Sequence, residues 1–288
     1  MTVVNTNVAA SVAQAALARN ERALGAAMEK LSTGKRINSS ADNAAGLTIS
    51  TQLTSQIRGI GQAVSNANDA ISMVNTADGA LDEITTMLQR MRELAVQAGT
   101  GTTAATDRTY LQSEFTALRT EIDRIADNTQ WNGRNILDGA AGGATGVSTV
   151  AYGIGQDGTA AQTLSTSFGN FNNTTGKLSG LASKVITGTT ITSAITVAAA
   201  TITEIDVVIA DVSAQRASFG AVSNRLTHAL DSLTNTKTNA EAARSQILDT
   251  DYAAATSELA RTQIIQQAGT AMLAQANQLP QTVLSLIQ

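Results

Sequence analysis

The chain has 288 residues and a formal net charge of −4, with aromatic residues at only 3%, a single proline and no cysteine. That length allows one large or two ordinary domains with a sizeable core, but the core cannot be built on Phe, Tyr and Trp. The missing cysteine excludes disulfides, thiol nucleophiles and cysteine metal centres. An acidic balance without a basic block argues against nucleic acid or an anionic membrane surface as a partner.

The opening stretch "MTVVNTNVAASVAQAALARN" lacks the basic and apolar regions of a cleaved signal peptide, so if the protein leaves the cell it is expected to use another route. Its first 18 residues carry no charge, and Val3, Ala10, Leu17, Leu24 and Leu31 recur every seven positions. Such spacing predicts a helix with a seam for another helix. After "STGKRINSSADNAAG" a second helix is predicted over 44–97. Leu53, Ile60, Ala67, Val74, Leu81, Leu88 and Ala95 form one row there, and Ala63, Ala70, Ala77, Ile84 and Met91 a second. At helical rise this is a rod of roughly 80 Å. A third helix carries Leu111, Phe115, Leu118, Ile122 and Ile125 on one face and stops at "DNTQWNGRNILDG". Trp131 is expected to anchor packing beside the Asn-Gly turn.

Residues 140–200 change character: ten glycines and eighteen Ser or Thr, with only Asp157, Lys177 and Lys184 charged. The runs "VSTVAYGIG" and "ITGTTITSAITV" predict hairpins. Helical spacing returns with Ile205, Val212, Phe219, Leu226, Leu233, Ala240 and Ile247. The chain then closes with 27 residues, 262–288, that hold no charge. Seven glutamines, an asparagine and a proline make this tail too polar to span a bilayer. Ile265, Met272, Leu279 and Leu286 repeat every seven residues, with Ala276 and Val283 at the four-residue offsets. Both chain ends therefore carry an apolar seam that needs covering, either by pairing within the chain or by assembly with other chains. The expected fold is mainly α: a long antiparallel helical bundle with terminal coiled-coil segments and a small β-rich insertion.

Motifs for chemistry do not accumulate. "GIGQDG" at 153–158 has the form GxGxxG, but no acidic residue follows until Glu204, so it reads as a glycine-rich turn. His228 is the only histidine and falls on the side of its helix away from the heptad row. It cannot supply a usual zinc site alone, and no GxSxG elbow occurs. Asp82, Glu83, Asp249 and Asp251 read as caps or surface acids. Asn172–Thr174 and Asn173–Thr175 have the form of N-glycosylation acceptors, a pattern short enough to arise by chance. No catalytic, metal or cofactor site is assigned.

Four longer stretches, "LSTGKRINSSADNAAGLTIS" at 31–50, "LQRMRELAVQA" at 88–98, "WNGRNILDG" at 131–139 and "QAGTAMLAQANQLPQTVLSLI" at 267–287, resemble the bacterial flagellins, in the same order. The resemblance covers about 1–139 and 201–288. Asn43, Thr250 and the stretch "AAATSELAR" depart from the usual pattern. The resemblance implies a non-enzymatic, secreted subunit that leaves the cell unfolded through the flagellar type III export apparatus. It would fold under a distal cap and polymerise into the extracellular filament that drives swimming. Implied partners are further copies of the chain, cap and hook-associated junction proteins and an export chaperone. A host Toll-like receptor is implied at Gln89, Arg90, Leu94, Gln97 and Glu114, a strip also expected to pack against a neighbouring subunit, with Leu94 fitting the bundle stripe as well. Nucleic acid and membrane are not expected partners. The terminal core is expected in 1–43 with 252–288, a helical-rod domain in 44–139 with 201–251, and an exposed tip in 140–200, whose Ser/Thr density permits O-linked glycosylation. A hook–filament junction protein shares the terminal plan, but "ADNAAG" and "QANQLPQTVLSLI" favour a filament subunit. A metalloprotease insert would need an HExxH motif, which the chain lacks, and a secreted adhesin does not account for the matching end motifs.

Overall fold

Helix α1 (Val8–Thr33) starts where Asn7 turns its side chain back on the backbone, accepting the Ala10 N–H at 3.0 Å through Oδ1. This satisfies one of the donors a helix start leaves free. It stops at Gly34, whose φ of 69° is the left-handed conformation that ends many helices. The computed structural model describes residues 7–142, 149–155, 162–172, 176–188 and 190–285, with 279–285 described through their helical backbone alone.

Helix α2 (Ala44–Ala98) is 55 residues long. Asn43 accepts the Gly46 N–H at 2.9 Å, doing at the helix start what an aspartate would do there. Helix α3 (Ala105–Asn128) follows a short turn. Strands β1 (Gln130–Trp131) and β2 (Arg134–Asn135) then form a hairpin around Asn132 and Gly133, whose φ values of 49° and 75° are those of a two-residue loop twisted to match its strands. A second antiparallel hairpin pairs β3 (Thr149–Gly153) with β4 (Thr163–Ser167), from Thr149↔Ser167 to Gly153↔Thr163. Of "GIGQDG", Gly153 closes β3 and residues 156–158 lie outside the described residues.

Helix α4 (Ile191–Leu248) begins earlier than its heptad row indicates. The run "ITGTTITSAITV" predicts a hairpin, yet from Ile191 onward it is helix. Its β-branched residues favour strands locally, but Ala194, Ala198, Thr201 and Ile205 recur at helical spacing and are buried, so packing overrides propensity. Part of α4 is long and apolar enough, by length and composition, to cross a membrane. Here its Ile205, Val208 and Val212 belong to a packed core. Helix α5 (Tyr252–Ser285) starts at Asp251, whose Oδ1 accepts the Ala253 N–H at 2.8 Å.

The chain divides into two compact units, Met1–Ile57 with Thr238–Gln288 and Arg58–Lys237. In the second, α2, α3 and α4 share one core with Phe115, Leu88, Ile84, Val212 and Phe219 at its centre. The rows from Ala67 to Ala95 and from Ala70 to Met91 are buried, as their spacing predicts. Small side chains bring the helices close, so little aromatic volume is needed. Helices α2 and α4 run antiparallel: Arg92 pairs with Asp206 at 2.7 Å and Arg216 with Asp82 at 2.7 Å. Asn66 and Gln215 hold the β3–β4 hairpin by donating to the Gly153 and Ser167 carbonyls at 2.9 and 2.8 Å. Phe168 lies 5.2 Å from the ring of Phe219. Trp131 packs against the same core, the anchoring role expected of it, and His228 is exposed.

Candidate assembly and recognition surfaces

In the first unit α1 and α5 lie side by side, antiparallel. Asn7 donates from Nδ2 to the Ala276 carbonyl at 2.8 Å, Asn20 donates to the Thr262 carbonyl at 2.8 Å, and the Gly34 carbonyl accepts from the Thr250 N–H at 3.0 Å. As numbers rise on one helix they fall on the other. At Gly269 the packing is tight, since a Cβ there would stand 3.1 Å from Leu17 Cδ1.

The predicted α1 row lies in this contact. Ala10, Leu17, Leu24 and Leu31 are half-buried, and between them Asn20 and Ala27 are buried. On α5 the inner stripe is a different row. Ala255, Thr262, Gly269 and Ala276 recur every seven residues, with Leu259, Gln266 and Leu273 beside them, and these positions are buried or half-buried. Ile265 and Met272 lie outside the pair at 42% and 62% exposure, together with Ile264. Val3, Leu279, Val283 and Leu286 lie outside the residues whose side chains are described.

The physical reason for the difference is size. Ala, Thr and Gly permit the close approach that lets asparagines on α1 reach backbone carbonyls on α5, whereas a row of Ile and Met would hold the helices apart. The signal was legible, because the small residues at 255, 262, 269 and 276 also repeat every seven positions. Asn7 and Asn20, which tie the pair together, have no signature in an apolar-periodicity reading. The last charges before the uncharged tail form one local group. The Arg261 guanidinium hydrogen-bonded to Glu258 holds that carboxyl below its ordinary range, helped by the field of Lys30 on α1.

In the second unit, Gln89, Arg90, Gln97 and Glu114 are exposed. Arg90 donates from Nε to Glu114 across α2 and α3 at 2.9 Å, and from Nη1 to Glu93 at 3.0 Å. Hydrogen bonds to Glu93 and Glu114 raise the Arg90 pKa further. Leu94, predicted as the apolar anchor of this strip, is only 1% exposed. It lies on the buried stripe with Met91 and Ala95, so it supports the surface from beneath.

The bacterial flagellin N-terminal helical region matches residues 4–141, and the bacterial flagellin C-terminal helical region matches residues 202–287. The chain belongs to the flagellin family. It is 41% identical to a flagellin of Halalkalibacterium halodurans over 99% of this chain and 100% of that one. It is 40% identical to a flagellin of Bacillus subtilis over 99% of each. Against Flagellin A of Vibrio cholerae it is 34% identical, again over 99% of each. Among solved structures, Bacillus cereus flagellin matches 62% of this chain and 94% of its own at 32% identity and a TM-score of 0.48. A putative flagellar hook-associated protein from Vibrio parahaemolyticus matches 72% of this chain and 99% of its own at 15% identity and a TM-score of 0.58, a likeness of fold. As a flagellin, the chain is a structural subunit of the extracellular flagellar filament, polymerising with its own kind for motility.

Proposed function

We propose that the α1–α5 pair drives polymerisation through the face that this pairing leaves uncovered. The observation that carries the reading is the position of Ile265 and Met272: apolar, on a segment without charges after Arg261, and exposed while a row of smaller residues makes the contact with α1. Each such side chain gains about 1.5–3 kcal/mol when fully buried. Identical subunits repeating a head-to-tail contact that does not close form an open helical polymer. Val3, Leu279, Val283 and Leu286 extend the same uncharged seams to the chain ends.

In this reading 1–43 with 252–288 is the filament core, 44–139 with 201–251 the helical rod, and 140–200 the exposed tip. The subunit performs no reaction and takes no cofactor. Its partners beyond itself and hook-associated proteins are the distal cap and an export chaperone, and it needs no membrane. Seeded elongation, followed by electron microscopy, tests the core of the reading. A chain lacking residues 262–288, and Ile265→Asp in the full chain, are expected to stay monomeric and helical; filaments of normal length from both would overturn it.

A second reading concerns a host Toll-like receptor, with the paired Arg90 and Glu114 as its central contacts and Gln89 and Gln97 at the margin. Exposure of all four on adjacent faces of α2 and α3 favours it. Arg90→Ala and Glu114→Ala monomers are expected to lose signal in a receptor-reporter assay; signal equal to the unmodified monomer would remove these residues from the recognition surface.

A further inference from the structure

The methionines with described side chains fall into two environments. Met73 and Met91 are 4% and 0% exposed in the core of the second unit, and Met87 packs against that core. Met28 on α1 and Met272 on α5 are 57% and 62% exposed, and both belong to the terminal unit. Met28 directly follows the buried Ala27 of the inner stripe and is itself exposed. Met272 stands one heptad beyond Ile265, on the uncharged outer row. With no cysteine in the chain, thioethers are the soft sulfur nucleophiles it offers to an oxidant. Burial shields Met73 and Met91, and Met87 is partly covered, so among the described methionines accessibility directs oxidation to the terminal unit.

We propose that Met28 and Met272 are oxidative modification sites, at which hydrogen peroxide converts the free subunit to a form that does not enter the polymer. A lone pair on the methionine sulfur attacks one peroxide oxygen as the O–O bond breaks. The departing hydroxide takes the proton from the transferred oxygen and leaves as water. Sulfur is oxidised by two electrons and peroxide is reduced by two. The product side chain is polar where the thioether was apolar, and burying its S=O dipole without a donor is unfavourable. The inference rests on the assembly reading above, because only a face that becomes covered would feel this change. It also implies an order of events: oxidation acts before incorporation, since a covered thioether is as shielded as Met91.

The test treats monomer with peroxide, locates sulfoxide by peptide mass spectrometry, and follows seeded elongation. The expected result is one added oxygen at Met28 and at Met272, none at Met73 or Met91, and a rise of roughly tenfold per site in the monomer concentration needed for elongation. Treatment with both epimer-specific methionine sulfoxide reductases should restore elongation. In Met28→Leu/Met272→Leu, peroxide should leave that variant's own elongation unaltered. Unchanged elongation of a doubly oxidised wild-type subunit, failure of the reductases to restore it, or equal sensitivity of the double variant would each overturn the proposal. The chain lacking residues 262–288 and Ile265→Asp run in parallel. If both elongate normally, the assembly reading falls and takes this inference with it; if neither does while the oxidised subunit does, the oxidation inference alone falls.

Discussion

Asn7 donates from its Nδ2 to the carbonyl of Ala276 at 2.8 Å, and that carbonyl is the one Pro280, four residues further along α5, has no N–H to satisfy. Proline inside a helix removes one i→i−4 hydrogen bond and is ordinarily disruptive. Here α5 continues to Ser285, and a side chain from the other end of the chain supplies the missing donor. The same Asn7 caps α1 through Oδ1, so one residue completes two helices.

Asn7→Ala should therefore destabilise the terminal pair by about 1–2 kcal/mol, combining a lost cap with an orphaned carbonyl. In a Pro280→Ala background the restored N–H takes the Ala276 carbonyl, and the same substitution should cost about 0.5–1 kcal/mol less. A double-mutant cycle in urea, followed by helical circular dichroism, measures the difference. Strict additivity would show that Asn7 acts as a cap only.

The buried Asn20 bonds to the Thr262 carbonyl within the α1–α5 seam. A buried, hydrogen-bonded asparagine in such a seam fixes register at some expense of stability. Asn20→Leu is expected to raise the melting temperature of the pair while relaxing its alignment. The chain lacks native cysteines, so cysteine pairs introduced at adjacent seam positions report the register directly. The parent should crosslink in one alignment, and Asn20→Leu in several.

At Gly269 an added Cβ would meet Leu17 at 3.1 Å, tighter than ordinary contact. Valine there should overpack the seam and destabilise it by about 1–3 kcal/mol, despite valine's better intrinsic helix propensity than glycine's. Leu17→Ala in the Gly269→Val background removes the opposing side chain and should recover part of that loss. Thermal melts of the three variants decide it: no recovery would place the strain elsewhere.

Gly133 has φ of 75° and open space where a Cβ would lie. Gly133→Ala therefore isolates the backbone term and should cost roughly 1–2 kcal/mol through the left-handed conformation alone. Hydrogen exchange of the β1–β2 hairpin is the local readout, with faster exchange at Trp131 and Arg134 expected.

Tyr152 is buried against the second core with its hydroxyl 3.6 Å from Met73 Sδ, and burial pushes its pKa from 10.0 to about 12. Between these values the unfolded chain releases a proton that the folded one keeps. Stability should therefore fall as pH rises from about 10 to about 12 and level off above, by an amount on the order of 2 kcal/mol. Urea midpoints across that interval measure the slope, and Tyr152→Phe should lack this contribution.

The seven-residue spacing of small and aliphatic residues determined by itself that this chain is helical, where α2 and α3 run and which of their residues form a core. Helical periodicity is a local geometric property, and rows such as Ala67 to Ala95 have one way to become buried. Long motifs likewise made the family legible without any fold. The tertiary structure decided which face of α5 meets α1. An apolar row and a small-residue row repeat with the same period there, so spacing alone cannot rank them, and only close approach at Gly269 and the reach of Asn7 and Asn20 select the smaller one. The same holds for Ile191 to Val197, where β-branched residues favour strand but Ala194, followed by Ala198 and Thr201, is buried at helical spacing in α4. In each case the local sequence allows two answers of similar energy, and contacts distant in the chain separate them.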